Sequence, residues 1–306
     1  MLEEDKKFPI IDIFGKKIKV KGYYCNQDDS NNGNSIIKNT PSLGLYVNIN
    51  NICNAKCKFC NVHKNQLDIN FDLEKFENVI QYLIKNKIIH KVAITGGETF
   101  LSFELINNII DIIYKYSNHL MVTINTNGTF ANKILELHHL NDLYAVLLSR
   151  HHYDDKINTE IFGCKTTTKE LLIELNKKLP ERLLRFKCTL MKGYIDNLEE
   201  VEKYLEFASE IGIKNVGFSV LRPENDFCKK NLVESMNYEN ISNVMHVYSH
   251  SDGDYCRCNN YIYTSKNFNS IGFYDRTVKK VNEEYCFQLL YNNNNLYAGF
   301  GKEMII

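Results

Sequence analysis

The sequence contains no tryptophan, and its 37 basic and 37 acidic residues leave no net charge. That balance excludes bulk electrostatic attraction to nucleic acid or to an anionic membrane. No uninterrupted apolar run approaches the ~20 residues needed to cross a bilayer, so no membrane partner is expected. The N-terminus, Met1-Leu-Glu-Glu-Asp-Lys-Lys7, is charged and lacks the apolar centre of a secretory signal. The expected location is therefore cytoplasmic. In that compartment ten cysteines point to metal or redox chemistry instead of a disulfide framework, and Asn240-Ile241-Ser242 reads as ordinary polar chain. A hydrophobic fraction of 44% with 24% charged residues belongs to a soluble globular protein. The 306 residues suffice for one large barrel-type domain, or one domain with an appended module.

Pro9 to Tyr24 alternates on both sides of Gly15-Lys16-Lys17 and predicts a β-hairpin. Asn26 to Asn39 is a polar linker. Six β-type runs follow, at Leu45–Asn50, Lys91–Thr95, Leu120–Asn125, Tyr144–Ser149, Leu184–Leu190 and Asn215–Leu221. Between them, Leu73–Lys85, Leu105–Tyr116, Asn132–Leu140, Thr167–Lys178 and Leu198–Ile211 have helical periodicity, with Asp72 and Asp196 as N-caps of the first and last. Strands alternating with helices predict right-handed parallel β/α units. Six units fall short of the eight of a closed barrel, so the expected fold is α/β: a partial, TIM-type (β/α)6 barrel. The expected domains are a hairpin and linker over 1–40, a core over 41–222, and a small β-rich C-terminal module over 223–306 that covers the open side.

Three cysteines carry the strongest chemical signal. Cys53, Cys57 and Cys60 lie in Asn51-Ile-Cys-Asn-Ala-Lys-Cys-Lys-Phe-Cys-Asn61, directly after the first strand, where the working loops of such barrels sit. A structural zinc site takes four protein ligands, whereas three thiolates on a cubic iron–sulfur cluster leave one iron open to a small molecule. A zinc knuckle completed by His63 is the alternative. Phe59 adds an aromatic face beside this loop. Thr95-Gly96-Gly97-Glu98 follows the second strand, and its paired glycines allow close backbone approach to a ligand.

With the strand count, these motifs resemble the radical S-adenosylmethionine (SAM) superfamily over roughly residues 45 to 222. The resemblance implies a 4Fe–4S cluster on Cys53, Cys57 and Cys60. It implies SAM contacts from Gly96, Gly97 and Glu98, from Asn125, Thr126 and Asn127 after the third strand, and from Ser149 at the end of the fourth. Met191, in Leu190-Met191-Lys192-Gly193 after the fifth strand, is implied beside the adenine. The chemistry implied is one-electron cleavage of SAM to a 5′-deoxyadenosyl radical that takes a hydrogen atom from substrate, with flavodoxin or ferredoxin as electron donor. Asp12-Ile13-Phe14-Gly15 and the Leu-Met-Lys-Gly segment give a general likeness to the molybdopterin-type GTP 3′,8-cyclase branch.

Around this centre several residues stay open. Ser149 reads equally as a helix cap. Arg150-His151-His152-Tyr153-Asp154 lies just past the fourth strand, where a histidine would meet substrate. His138-His139 reads as structural or solvent-facing, and Arg222 as an anion contact or a surface ion pair. Cys256, Cys258 and Cys286, with Cys228 as a fourth, are candidates for an auxiliary iron–sulfur cluster, while Cys164 and Cys188 read as plain thiols. The expected substrate is a small molecule. The alternatives are a ribosomally made peptide, the enzyme then being its maturase, and a non-catalytic metal-binding redox sensor.

Overall fold

Along the strands apolar and polar residues alternate, and the fold gives the two sets separate faces of one sheet. The computed structural model describes residues 9–20, 43–60, 69–234, 236–250, 260–275, 286, 288–299 and 303–306. The strands are β1 Ile10–Ile13, β2 Lys16–Lys19, β3 Leu43–Asn48, β4 Ile89–Thr95, β5 Met121–Thr126, β6 Ala145–Ser149, β7 Leu184–Leu190 and β8 Asn215–Val220. After these come β9 Met245–His250, β10 Asn260–Thr264, β11 Ser270–Tyr274, β12 Gln288–Asn292, β13 Asn295–Ala298 and β14 Glu303–Met304. The α-helices are α1 Leu73–Lys85, α2 Phe103–Tyr116, α3 Asp155–Phe162, α4 Lys169–Asn176, α5 Leu198–Ile211 and α6 Asp226–Lys230.

All six expected strands are present, and their neighbours pair in parallel from β3 to β8. The sheet is larger than the six. β11 adds in parallel beyond β8, and β12 adds in parallel outside β3, so eight strands run the same way. β9 and β10 continue one flank in antiparallel fashion, and β13 and β14 the other. Among the described residues the row begins at β14 and ends at β9 without closing on itself: a partial barrel. The β-rich C-terminal residues thus extend the core sheet at both edges; among the described residues they form no separate sheet.

Leu45, Val47, Ile94, Ile124, Phe186 and Phe218 sit on one face with essentially no exposure, in one continuous apolar core with the helices. α1 shows how each helix joins it. Asp72 caps the helix by accepting from the Lys75 N–H, and Phe76, Val79, Ile80 and Leu83 point to the sheet at helical spacing. Each such side chain contributes roughly 1.5–3 kcal/mol by leaving water. The opposite face carries half-buried Tyr46, Asn48, Thr95, Asn125 and Ser149, none of them in that core.

Local departures have local causes. Asn132–Leu140, expected as a helix, forms only a 3-10 turn at Ala131–Glu136, and His139 stands at φ 51°, which an α-helix does not admit. Thr167–Lys178 shortens to α4, capped by Thr168. α5 is capped by Asn197, because Asp196 instead accepts from the Gly193 N–H at 2.6 Å. The β1–β2 hairpin rests on α1, where Phe14 stacks on Tyr82 at 3.8 Å. The expected linker lies outside the described residues, as do the last residues of the expected hairpin.

Candidate active site

The cysteine loop leaves the C-terminal end of β3 and is pinned by neighbouring strand-end loops. At its start, Asn50 is buried and uses its whole amide. Its Nδ2 donates to the Glu98 carbonyl (3.0 Å) and to Ser102 Oγ (2.8 Å), while its Oδ1 accepts from the Gly97 N–H (3.0 Å). The Glu98 N–H donates to the Ile52 carbonyl at 2.7 Å. Further along, Asn127 Nδ2 donates to Asn54 Oδ1 at 2.8 Å, and the Lys56 N–H to the Phe162 carbonyl at 2.6 Å. Asn225, the N-cap of α6, donates to the Lys58 carbonyl at 3.2 Å, and the Cys228 thiol points to the Phe59 carbonyl at 3.7 Å. The loop is thereby held from the ends of β4, β5 and β8 and from the end of α3.

Gly96 and Gly97 are needed for this contact. A Cβ on Gly96 would stand 2.7 Å from Asn50 Oδ1, and one on Gly97 would overlap the Ile52 carbonyl. The close approach they permit is therefore to the cysteine loop itself. Their carbonyl oxygens accept no hydrogen bond among the described residues, which leaves acceptors for a ligand's ammonium group.

Glu98 is fully buried. Its carboxylate accepts from the Phe100 N–H (3.0 Å), Thr126 Oγ1 (2.7 Å) and the Asn127 N–H (2.6 Å). Burial pushes its pKa up, and the three donors oppose the shift. The Glu98 and Thr126 side chains thus serve each other, and a cofactor contact from this segment falls to its backbone. Asn127 is likewise engaged, by Asn54 and by the Thr129 N–H. Asn125 Nδ2 makes one long bond, 3.5 Å to the Ile94 carbonyl. Ser149 Oγ has no hydrogen-bond partner among the described residues, and α3 is capped by Asp154 instead; the capping reading of Ser149 is thereby excluded.

Phe59 and Met191 come together. Met191 is buried with Ile161, Leu221 and Cys228, and Phe59 packs onto that patch. Phe59 also meets His151 edge-on at 5.0 Å. The His151 ring stacks on Phe162 at 4.9 Å, and its Nδ1 accepts from the Thr189 N–H at 3.0 Å. Burial, then the adjacent Arg150 charge, lowers its pKa to about 3. His152 Nδ1 accepts from the Asp154 N–H at 2.9 Å. Arg150, 1% exposed, donates to the carbonyls of His152, Tyr153 and Thr167 and pairs with Asp155. The segment expected at the substrate mouth is thus a buried scaffold beneath the cysteine loop. Arg222 pairs loosely with Glu224 at 3.8 Å, and His138 meets the Asp111 carboxylate at 2.9 Å on the surface.

The two described auxiliary-cluster candidates, Cys228 and Cys286, are separated. Cys228 lies above the C-terminal end of β3 at Phe59. Cys286 precedes β12, whose Gln288 pairs with Gly44 at the start of β3, and its thiol donates to the Gln288 carbonyl at 2.9 Å. The two thiols therefore lie at opposite ends of the strands and cannot share a cluster. Cys256, Cys258 and His63 lie outside the described residues. Cys188 is buried, as expected of a plain thiol; Cys164 is half-buried, 4.0 Å from Asn54 Nδ2.

The three loop cysteines are each half-buried, and the Cys53 sulfur accepts from the Ala55 N–H at 3.4 Å. Among the described residues no three side chains converge on one point as ligands of a single ion. A cubic cluster does not require this, since each cysteine binds a different iron. Three soft thiolates on a pinned, accessible loop fit such a cluster, and Cys53, Cys57 and Cys60 would hold it.

Fold and site together define a partial-barrel β/α enzyme with a thiolate loop after its first core strand and a glycine loop after its second. Residues 47–226 match the Radical SAM superfamily, and the chain belongs to it. Enzymes of this family use a 4Fe–4S cluster and SAM. The "Uncharacterized protein MJ0907" of Methanocaldococcus jannaschii is 28% identical over 66% of this chain and 69% of its own. The "Putative peptide biosynthesis protein YydG" of Bacillus subtilis is 24% identical over 80% of this chain and 79% of its own. The "Probable GTP 3′,8-cyclase" of Saccharolobus islandicus is 23% identical over 60% and 58%. Among solved structures, Streptococcus suis SuiB bound to S-adenosylmethionine shares the fold with a TM-score of 0.52 and 21% identity, over 62% of this chain. That match spans only 43% of the SuiB chain. No helix among the described residues is long and apolar enough to cross a membrane.

Sequence reasoning missed Asn50 and Asn54 as anchors. Their signal is position: short amides flanking the cysteines, one strand-end from a glycine pair.

Proposed function

We propose that this enzyme cleaves SAM at a cluster held by Cys53, Cys57 and Cys60 and uses the product radical to take a hydrogen atom from a peptide. When bound, these cofactors supply a 5′-deoxyadenosyl radical by one-electron cleavage of the sulfonium. The chain's own residues position and exclude water. Asn50, Gly97 and Glu98 lock the glycine loop to the cysteine loop, and the Phe59–Met191 patch offers an apolar wall on its inner side. The observation that carries this reading is the direct backbone contact between Gly97 and Ile52, which joins the thiolates to the glycine-loop carbonyls. Ser149 Oγ, at the inner face of the sheet, is a hydrogen-bonding group for SAM in this reading, and a flavodoxin or ferredoxin is the electron source.

A peptide is favoured over a small molecule because of where the similarity runs. The relative named for peptide biosynthesis aligns over 264 residues, well beyond the matched family region, whereas the cyclase relative aligns over 184. A small-molecule substrate is the second reading. A sensor role is disfavoured, since a sensor has no use for the open carbonyls opposite its thiolates.

The test is release of 5′-deoxyadenosine by anaerobically reconstituted protein given SAM and dithionite, with none from Cys57→Ala. Cluster-loaded wild-type protein that leaves SAM intact sinks the proposal. Co-expression with a short reading frame beside the gene is expected to change the mass of its peptide, and an unchanged mass favours the small-molecule reading.

A further inference from the structure

At the other end of the strands from the cysteine loop lies a cavity of about 500 Å³. It is framed by the N-terminal ends of β5 to β8: Met121 opens β5, Tyr144 precedes β6, Arg185 is the second residue of β7 and Asn215 opens β8. Its volume falls within the ~300–1,000 Å³ of small-molecule sites. β7 runs from Leu184 to Leu190, so at ~3.3 Å per residue the cavity stands roughly 20 Å below the loops that follow the strands. Its occupant is therefore not the molecule at the cluster.

Arg185 and Asn215 give this cavity a polar seat. Phe186 pairs with Val216, which makes Arg185 and Asn215 lateral neighbours. Val216 and Phe218 belong to the core, and alternation turns Asn215 to the opposite face. Asn215 is 8% exposed and lines the cavity, and its side-chain amide has no hydrogen-bond partner among the described residues. A buried amide left in this state costs stability unless a ligand or water completes it.

The Arg185 guanidinium stacks on the Tyr144 ring, 4.3 Å from its centroid, which fixes its plane. Its Nε and Nη2 reach backbone carbonyls, of Arg182 and Tyr144, only at 3.5 and 3.4 Å. Its Nη1 donates to no group among the described residues. Nor does Arg185 form an ion pair among them; Asp142, on the same cavity, faces His139 at 3.8 Å. A guanidinium held flat, with its outer donors open beside an amide, matches the two oxygens of a carboxylate.

We infer that this cavity is a second ligand site, and that it takes a small molecule of the amino-acid class, with the ligand carboxylate on Arg185 and Asn215. The other charged residues lining it, Arg182, Asp142 and Glu181, bring both signs. A polyanion meets the two acids there, whereas a ligand that carries an ammonium as well as a carboxylate complements both signs.

Calorimetric titration of cluster-loaded, SAM-bound protein, anaerobic and without reductant, tests this. The probes are the standard amino acids, each in turn, with succinate and inorganic phosphate as separate arms. Bound SAM blocks amino-acid binding beside the cluster, and without reductant the outcome does not depend on whether SAM is cleaved. At least one amino acid is expected to bind at one per chain below millimolar concentration, and more tightly than succinate or phosphate. Arg185→Gln is expected to weaken that binding roughly tenfold or more. If Arg185→Gln fails to load its cluster, Asn215→Asp is read instead; it keeps the side-chain size, sets a negative charge where the carboxylate would lie, and is expected to weaken binding at least several-fold. Failure of every amino acid to bind wild-type protein, equal binding by the variants, or tighter binding of succinate or phosphate overturns the inference.

Discussion

Gly97 lies on the backbone of Ile52 with no room for a methyl group between them. The contact joins the glycine loop after β4 to the cysteine loop after β3, and two backbone hydrogen bonds flank it, from the Gly97 N–H to the Asn50 carbonyl (3.1 Å) and from the Glu98 N–H to the Ile52 carbonyl (2.7 Å). Gly97→Ala is therefore expected to force the loops apart and cost ~1–3 kcal/mol. Its second effect is fewer irons retained per chain after anaerobic reconstitution. Iron content equal to wild type would show that this contact does not set the cluster loop.

Glu98→Gln tests the clamp between β4 and β5. All three partners of the Glu98 side chain are donors, so an amide NH2 must face one of them and leave it unsatisfied. The expected loss is ~1–3 kcal/mol, read from urea unfolding at neutral pH. A variant as stable as wild type would mean that relief from burying the charge offsets the lost acceptor.

His151 gives the fold a pH dependence of known sign. Its folded pKa is depressed from 6.5 to about 3, by burial first and then by Arg150. Below about 6.5 the unfolded chain binds a proton that the folded chain refuses, so this contribution is present above 6.5 and is lost as pH falls toward 3. Replacing the ring with a group that cannot titrate, His151→Gln, is expected to flatten the fall in unfolding free energy between neutral pH and pH 5. An unchanged slope would assign the dependence to another group.

Arg150 is a structural cation. With it gone, three carbonyls lose this donor and the Asp155 carboxylate keeps only the Lys169 N–H. Arg150→Met is expected to destabilise by ~1–3 kcal/mol, because it leaves buried carbonyls unsatisfied, measured by denaturant titration. A loss below ~1 kcal/mol would mean that water replaces the guanidinium.

Cys286→Ser is expected to leave the iron content of reconstituted protein unchanged, because the thiol sits at the far end of β3 from the cysteine loop with its donor on Gln288. Loss of about four irons per chain would place a second cluster there.

The six core strands were legible because their residues alternate or run apolar between polar breaks, and the cysteine and glycine loops because each follows a strand directly. β11 and β12 were not legible as parts of the same sheet. Ser270–Tyr274 reads as a strand, but nothing local says that it pairs in parallel with Asn215–Ser219. Long-range pairing is decided by which edge is left open. The buried setting of the histidine pair at 151–152 was not legible for a related reason. α3, at Asp155–Phe162, spans only about two turns, and it turns Phe162 onto His151 and Asn158 onto the backbone of both histidines. In β7, the alternation Leu184-Arg-Phe-Lys-Cys-Thr-Leu190 already separated Arg185 from the core; only the register that sets it beside Asn215 gave it a place.

The pairing of β12 with β3 ties the order of synthesis to the order of assembly. Among the described residues β3 is the first of the eight parallel strands to leave the ribosome, and its outer neighbour β12 is the last of the eight. At ~5–20 residues per second the gap is on the order of ten to fifty seconds, during which one flank of an apolar-backed sheet offers unpaired backbone groups to any passing strand. Until β12 emerges and pairs with it, that flank of β3 is an edge that strands of other chains can extend.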